Sequence, residues 1–242
     1  MTRHRNRSRR IVPCVYCGSK PANTKDHVFP RALFDRQPTN ARTVPACDQC
    51  NHKYSHDEPS FRDLLCLSTA AERHPAGRVL MPRIEAGWRH HPGRVHKVFE
   101  CLEGVAKVGR EGAPPVSLPI LSMERPWFDR IVSKIVKGLV YWHTKFRLGP
   151  DHRIEWFPIH APLNDELIPP LVARSLLMSG SIVGDGVVEY GRFIWPGSPI
   201  SVWLIVFFRG LAFLANVMGP WPDGVPSRIT IEDVRSNLGP RK

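Results

Sequence analysis

Two Cys-x-x-Cys pairs near its start constrain this chain more than any other feature. They read Cys14-Val15-Tyr16-Cys17 and Cys47-Asp48-Gln49-Cys50. Two such turns bring four thiolates to one tetrahedral ion, and in a fragment this small the metal takes the place of a hydrophobic core. The interval from residue 18 to residue 46 then folds as a hairpin inserted between the two knuckles. Gly18, directly after Cys17, suits the tight turn of the first knuckle. The expectation is one structural Zn2+ on Cys14, Cys17, Cys47 and Cys50. Cys66 and Cys101 stand alone in apolar surroundings and read as buried small hydrophobes. A disulfide framework is the competing use of cysteine. The chain opens Met1-Thr2-Arg3-His4-Arg5 with no apolar signal segment, so a reducing cytoplasm and thiolate–zinc bonding are expected.

Between the knuckles lies Asp26-His27-Val28-Phe29-Pro30, and Asn51 follows the last cysteine. Phosphodiester hydrolysis needs a water that loses its proton, neutralised phosphate oxygens and a stabilised leaving oxygen. A neutral histidine can take the proton. A divalent cation on hard oxygen donors can do the other two, and Asp26 and Asn51 are such donors for Mg2+ or Mn2+. His27 is then left unligated as the base. Neighbours on a regular strand point to opposite faces, so Asp26 and His27 share one site only if the strand bends or ends there, which Pro30 permits. Asn51 opens a helix whose N-terminus adds positive partial charge. His52 and His56 face one side of that helix, about 100° from Asn51. Asn51 is the preferred ligand, and His56, Asp57 and Glu58 are second-tier candidates. Lys53 reads as a phosphate contact or a solvated charge.

Together, Cys14-x-x-Cys17-Gly18, Asp26-His27-x-x-Pro30 and Val44-Pro45-Ala46-Cys47-x-x-Cys50-Asn51 resemble the four-cysteine HNH (ββα-metal) nucleases of bacteria and phage. The resemblance covers residues 11–60. It implies a treble-clef-like ββα-metal module, His27 as general base, Asp26 and Asn51 as ligands of one catalytic metal, and DNA cleaved to 5′-phosphate and 3′-hydroxyl ends. Many members carry an Asn where this chain has Arg42, and that Asn braces the loop carrying the base. Asn40 is one substitute; a phosphate grip by Arg42 is the other reading.

Composition agrees with a nucleic-acid partner, double-stranded DNA first. The net charge is +12 over 242 residues, and Arg3, Arg5, Arg7, Arg9 and Arg10 crowd the first ten positions. That arm contacts phosphates or is a solubilising tail. At 42% hydrophobic residues, the chain can bury a sizeable core beyond the zinc module. The apolar run from Ile200 to Met218 is interrupted by Arg209-Gly210 and reads as two strands around a turn, not a membrane span.

The expected class is α+β: a basic arm (1–10), the zinc module (11–60), a helical connector (61–95), an α+β domain with a mainly antiparallel sheet (96–220) and a loose tail (221–242). Helices are expected over 48–56, 59–73, 78–90, 125–144 and from Asn164 to about Met178. Strands are expected over 97–108, 116–121, 154–159, 187–194, 201–208 and 211–217. The clearest helix is 125–144, where Phe128, Ile131, Val132, Ile135, Val136, Leu139 and Val140 recur at helical spacing. Trp127, Trp142, Trp156, Trp195 and Trp203 could stack bases, but their apolar-periodic positions favour core packing. The alternative functions are a zinc module that binds DNA or RNA without cutting it, and an anti-phage or toxin nuclease with a sensing C-terminal domain. Nothing in the residues fixes the oligomeric state.

Overall fold

A computed structural model describes residues 12–108, 116–159 and 179–220. The arm 1–10, the helix expected from Asn164 and the tail 221–242 lie outside them. The class is α+β, with mainly antiparallel sheets. Strand β1 (Thr24–His27) pairs antiparallel with β2 (Thr43–Ala46), with Asp26 opposite Val44 and His27 opposite Thr43. A 3-10 turn at Arg31–Leu33 lies between them, and α1 (Asp48–Ser55) follows directly.

The single helix expected over 59–73 is two, α2 (Glu58–Cys66) and α3 (Thr69–Arg73). Ser68 divides them: its hydroxyl accepts from the Ala71 N–H at 3.3 Å and so caps α3. His74 caps α4 (Pro75–His90) in the same way, its Nδ1 accepting from the Ala76 N–H at 3.2 Å. The strand expected from Lys97 begins only at Leu102. Residues Pro92–Phe99 form α5, because Pro92 fits the first turn of a helix and turns Val98 into the core. The fully buried Asp63 ties these helices together, accepting from the Trp88 indole at 2.8 Å and pairing with Arg94 at 2.8 Å.

Strands β3 (Leu102–Val108) and β4 (Val116–Leu121) form a separate hairpin. The central helix α6 (Pro126–Thr144) matches the expected span within a residue. Pro126 sits in its first turn, and Lys145 ends it in the left-handed region at φ 61°, its N–H bonding the Tyr141 carbonyl. The main sheet has the order β5-β9-β8-β7-β6, with β5 Arg153–Ile159, β6 Ser181–Val183, β7 Val188–Ile194, β8 Ser201–Phe207 and β9 Leu211–Met218. The short β6 was not expected. The β8–β9 turn places Phe208 and Arg209, not Arg209 and Gly210, in the left-handed region, at φ 51° and 57°. Gly210 is there for room: a Cβ would stand 2.7 Å from Ala70 on α3.

Helix α6 is apolar on almost every side because it is sandwiched. Phe128 meets Trp156 and Phe213 of the sheet, with ring centroids 5.3 and 5.8 Å away, and Phe61 of α2 at 4.8 Å. Its other face lies on the β1–β2 hairpin, where Gly138 lets Val28 approach; a Cβ there would be 3.0 Å from a Val28 methyl. One buried core therefore runs from Cys14 through α6 to Val217, across the position where a domain boundary was expected. No helix among the described residues is long and apolar enough to cross a membrane, and 201–218 is the β8–β9 hairpin.

Candidate functional site

The four expected thiols come together. Sγ atoms of Cys14, Cys17, Cys47 and Cys50 all lie within 4.8 Å of one another, with Cys17 and Cys47 3.9 Å apart. Four sulfurs about 2.3 Å from one zinc would stand roughly 3.8 Å apart, so the cluster is compatible with structural zinc. Backbone turns set the spacing. The Gly18 N–H bonds the Cys14 carbonyl at 2.9 Å, with Gly18 at φ 68°, and the Asn51 N–H bonds the Cys47 carbonyl at 3.0 Å. Slight burial pushes the Cys17 thiol up, but hydrogen bonds from Ser19 and Lys20 outweigh it and bring the thiol down to about 6. Cys66 and Cys101 are buried, as expected.

Asp26 is 5% exposed and faces inward beside Val44. Its carboxylate meets the Lys134 ammonium of α6 at 3.0 Å from Oδ2, and the same ammonium pairs with Glu58. The Tyr16 hydroxyl is buried beside this carboxylate. Burial first, and then the Asp26 charge, push the Tyr16 phenol well above its ordinary range. Asn51 lies on the same side of the hairpin: its amide donates to Thr24 Oγ1 at 3.4 Å, and Thr24 stands two residues before Asp26 on β1.

His27 is the last residue of β1, and the chain bends at Val28 and Phe29. The bend thus follows His27, which is still paired opposite Thr43, and the ladder sets its side chain on the face opposite that of Asp26. The half-buried His27 ring makes no hydrogen bond or ion pair among the described residues. His52, Lys53 and His56 are exposed on α1 and at its end, while Asp57 is buried between Lys97 at 2.7 Å and Arg130 at 2.8 Å. Asn40 does not brace the segment carrying His27. Its amide donates to the Ile182 carbonyl at 2.8 Å, docking the preceding loop on β6. Arg42 instead stacks on Trp142 of α6, 5.0 Å from the ring centroid.

Sequence reasoning missed the α6 contribution. Arg130, Lys134, Gly138 and Trp142 recur at four-residue spacing and meet Asp57, Asp26, Val28 and Arg42 in turn. The signal was a lysine inside an otherwise apolar helical stripe. Such a residue needs a buried counter-charge. No family model, curated protein or solved structure matches this chain.

Proposed function

We propose that this protein is a metal-dependent nuclease of the HNH type that hydrolyses phosphodiester bonds in DNA. The observation that carries the reading is one hairpin-plus-helix unit, joined by the four-thiol cluster, that bears Asp26, His27 and Asn51. Asp26 and Asn51 lie on one side of it, and His27, without a hydrogen bond or ion pair among the described residues, ends the strand. The donor types suit a hard divalent cation: the buried Asp26 carboxylate, which Lys134 ion-pairs at 3.0 Å, and the Asn51 amide oxygen on the same side of the hairpin. Asp26 and Asn51 would hold Mg2+ or Mn2+, which supplies neutralisation of the phosphate and leaving oxygens. His27 takes the proton of the attacking water. Two N–H groups at the start of α1 are committed inside the knuckle, Asp48 to Asn23 Oδ1 and Asn51 to the Cys47 carbonyl, both at 3.0 Å, so the phosphate is held by the cation and not by the helix end. Lys134 holds the Asp26 carboxylate oriented.

A second reading rests on Lys134 itself. A buried ammonium already balances Asp26 and Glu58, which is what a module that binds nucleic acid without cutting it would need. Plasmid nicking by the full chain with Mg2+ or Mn2+ separates the two readings. Cleavage that depends on the added metal supports the nuclease; binding with no cleavage in either metal supports the second reading.

A further inference from the structure

A cleft of about 610 Å³ opens where the C-terminal end of α6 crosses the β1–β2 hairpin. Its walls include Lys25 and Thr43 from the hairpin, Tyr141, Trp142 and Lys145 from the helix end, and Val12. Thr43 is the cross-strand partner of His27, so the cleft begins beside the proposed base. Two cations stand against the Trp142 ring, the Arg42 guanidinium at 5.0 Å and the Lys145 ammonium at 5.1 Å from its centroid. Lys145 is also 5.6 Å from the Tyr141 ring. Its left-handed backbone turns the chain at this point, and its ammonium hydrogen-bonds only the Trp142 carbonyl among the described residues. Arg42 Nε is buried and has no hydrogen-bond partner there. Among the described residues no carboxylate lines the cleft.

The surrounding field is positive. Burial first, and then the charges of Arg192, Arg42 and Lys145, push the adjacent His143 down to about 4.

Cations grouped on aromatic rings, with no acid among them, match one ligand chemistry: a phosphate joined to a flat ring. We propose that this cleft binds one unpaired nucleotide of the nucleic acid, its phosphate on Lys25 and Lys145 and its base against Tyr141 and Trp142, with Arg42 adding positive charge from beside Trp142. Bases inside a duplex have both faces covered, so only an unpaired or extruded base can pack on these rings. The inference rests on the nuclease reading and gives it a substrate class: strands with a single-stranded or frayed position next to the scissile phosphate.

The test uses the full chain carrying His27→Ala, so that cleavage does not intervene. Fluorescein-labelled dT20, rU20 and a 20-base-pair DNA duplex are titrated at one salt concentration and followed by anisotropy. Adding Trp142→Ala is expected to weaken the tighter of the two single strands by about tenfold, the scale of one lost base stack, with less than about a twofold change for the duplex. Trp142→Phe restores most of the loss. Whichever of dT20 and rU20 binds tighter identifies the sugar. Lys25 is exposed, so Lys25→Ala leaves the fold intact; it is expected to weaken single-strand binding several-fold and to lower the salt slope by about one. Equal losses on duplex and single strand, or unchanged affinity in both the Trp142→Ala and Lys25→Ala proteins, overturn the proposal. Absence of metal-dependent cleavage by the His27-containing parent would remove the nuclease reading and leave this binding result standing, so the two failures are distinguishable.

Discussion

The Lys134 ammonium lies 3.0 Å from Oδ2 and 3.2 Å from Oδ1 of Asp26, and none of the lysine side chain is exposed. This contact joins α6 to the zinc module at the residue expected to hold the catalytic cation. Glu58 shares the same ammonium, so two carboxylates depend on one internal positive charge.

Removing that charge should be costly. Lys134→Ala leaves the buried Asp26 and the half-buried Glu58 without this counter-ion, and a loss of about 3–5 kcal/mol is expected in urea unfolding. Mn2+ should raise the thermal midpoint of Lys134→Ala more than that of the parent, since a divalent ion can then balance both carboxylates. A variant as stable as the parent would show that the pair does not anchor α6.

The thiol cluster should bind one zinc per chain. Replacing Cys14, Cys17, Cys47 or Cys50 with serine should unfold the module, because metal binding there is on the order of 10 kcal/mol of folding free energy. Elemental analysis together with circular dichroism checks this; folded, soluble protein without zinc is the contrary result.

Close approach of α6 to the hairpin is set at Gly138. Gly138→Val drives methyl groups into Val28, which a Cβ alone would already meet at 3.0 Å. A loss of about 1–3 kcal/mol is expected in the same unfolding experiment. Gly93, where a Cβ meets nothing within 4 Å, is the control; Gly93→Ala should not lose stability.

Acid sensitivity has an identifiable contributor. His143 bonds the Tyr190 hydroxyl at 3.1 Å and has its pKa lowered to about 4, by burial first and then by Arg192, Arg42 and Lys145. Its folded pKa is below the unfolded value of about 6.5, so the unfolded chain binds the proton more readily. The stability it contributes is complete above about pH 6.5 and is lost as pH falls toward about 4. His143→Gln should flatten that part of the stability–pH curve, and an unchanged curve would assign the acid loss elsewhere.

The residues told local structure and not long-range pairing. The knuckles were legible because thiolate spacing determines a tetrahedral site almost without context. Helix α6 and strands β7 to β9 were legible from uninterrupted apolar periodicity. The break at Ser68 was missed because a capping hydroxyl looks like any polar residue within a helical stripe. Helix α5 was missed because Val95, Val98 and Phe99 suit a strand nearly as well, and only Pro92 and the contacts of Lys97 decide it. Lys134 lies 108 positions from Asp26 in the chain, and no local pattern joins them. Trp142 read as core, yet it stands half-buried between Arg42 and Lys145.

Whether His27 and Asp26 cut phosphodiester bonds is decided by the rate of supercoiled-plasmid nicking by the parent, His27→Ala and Asp26→Asn proteins in Mn2+, each with its zinc content and DNA affinity measured alongside. The parent should nick in a metal-dependent way and His27→Ala should lose at least about 10²-fold, with zinc and affinity nearly unchanged. Nicking by His27→Ala at the parent's rate, or no nicking by a zinc-loaded, DNA-binding parent, would contradict this.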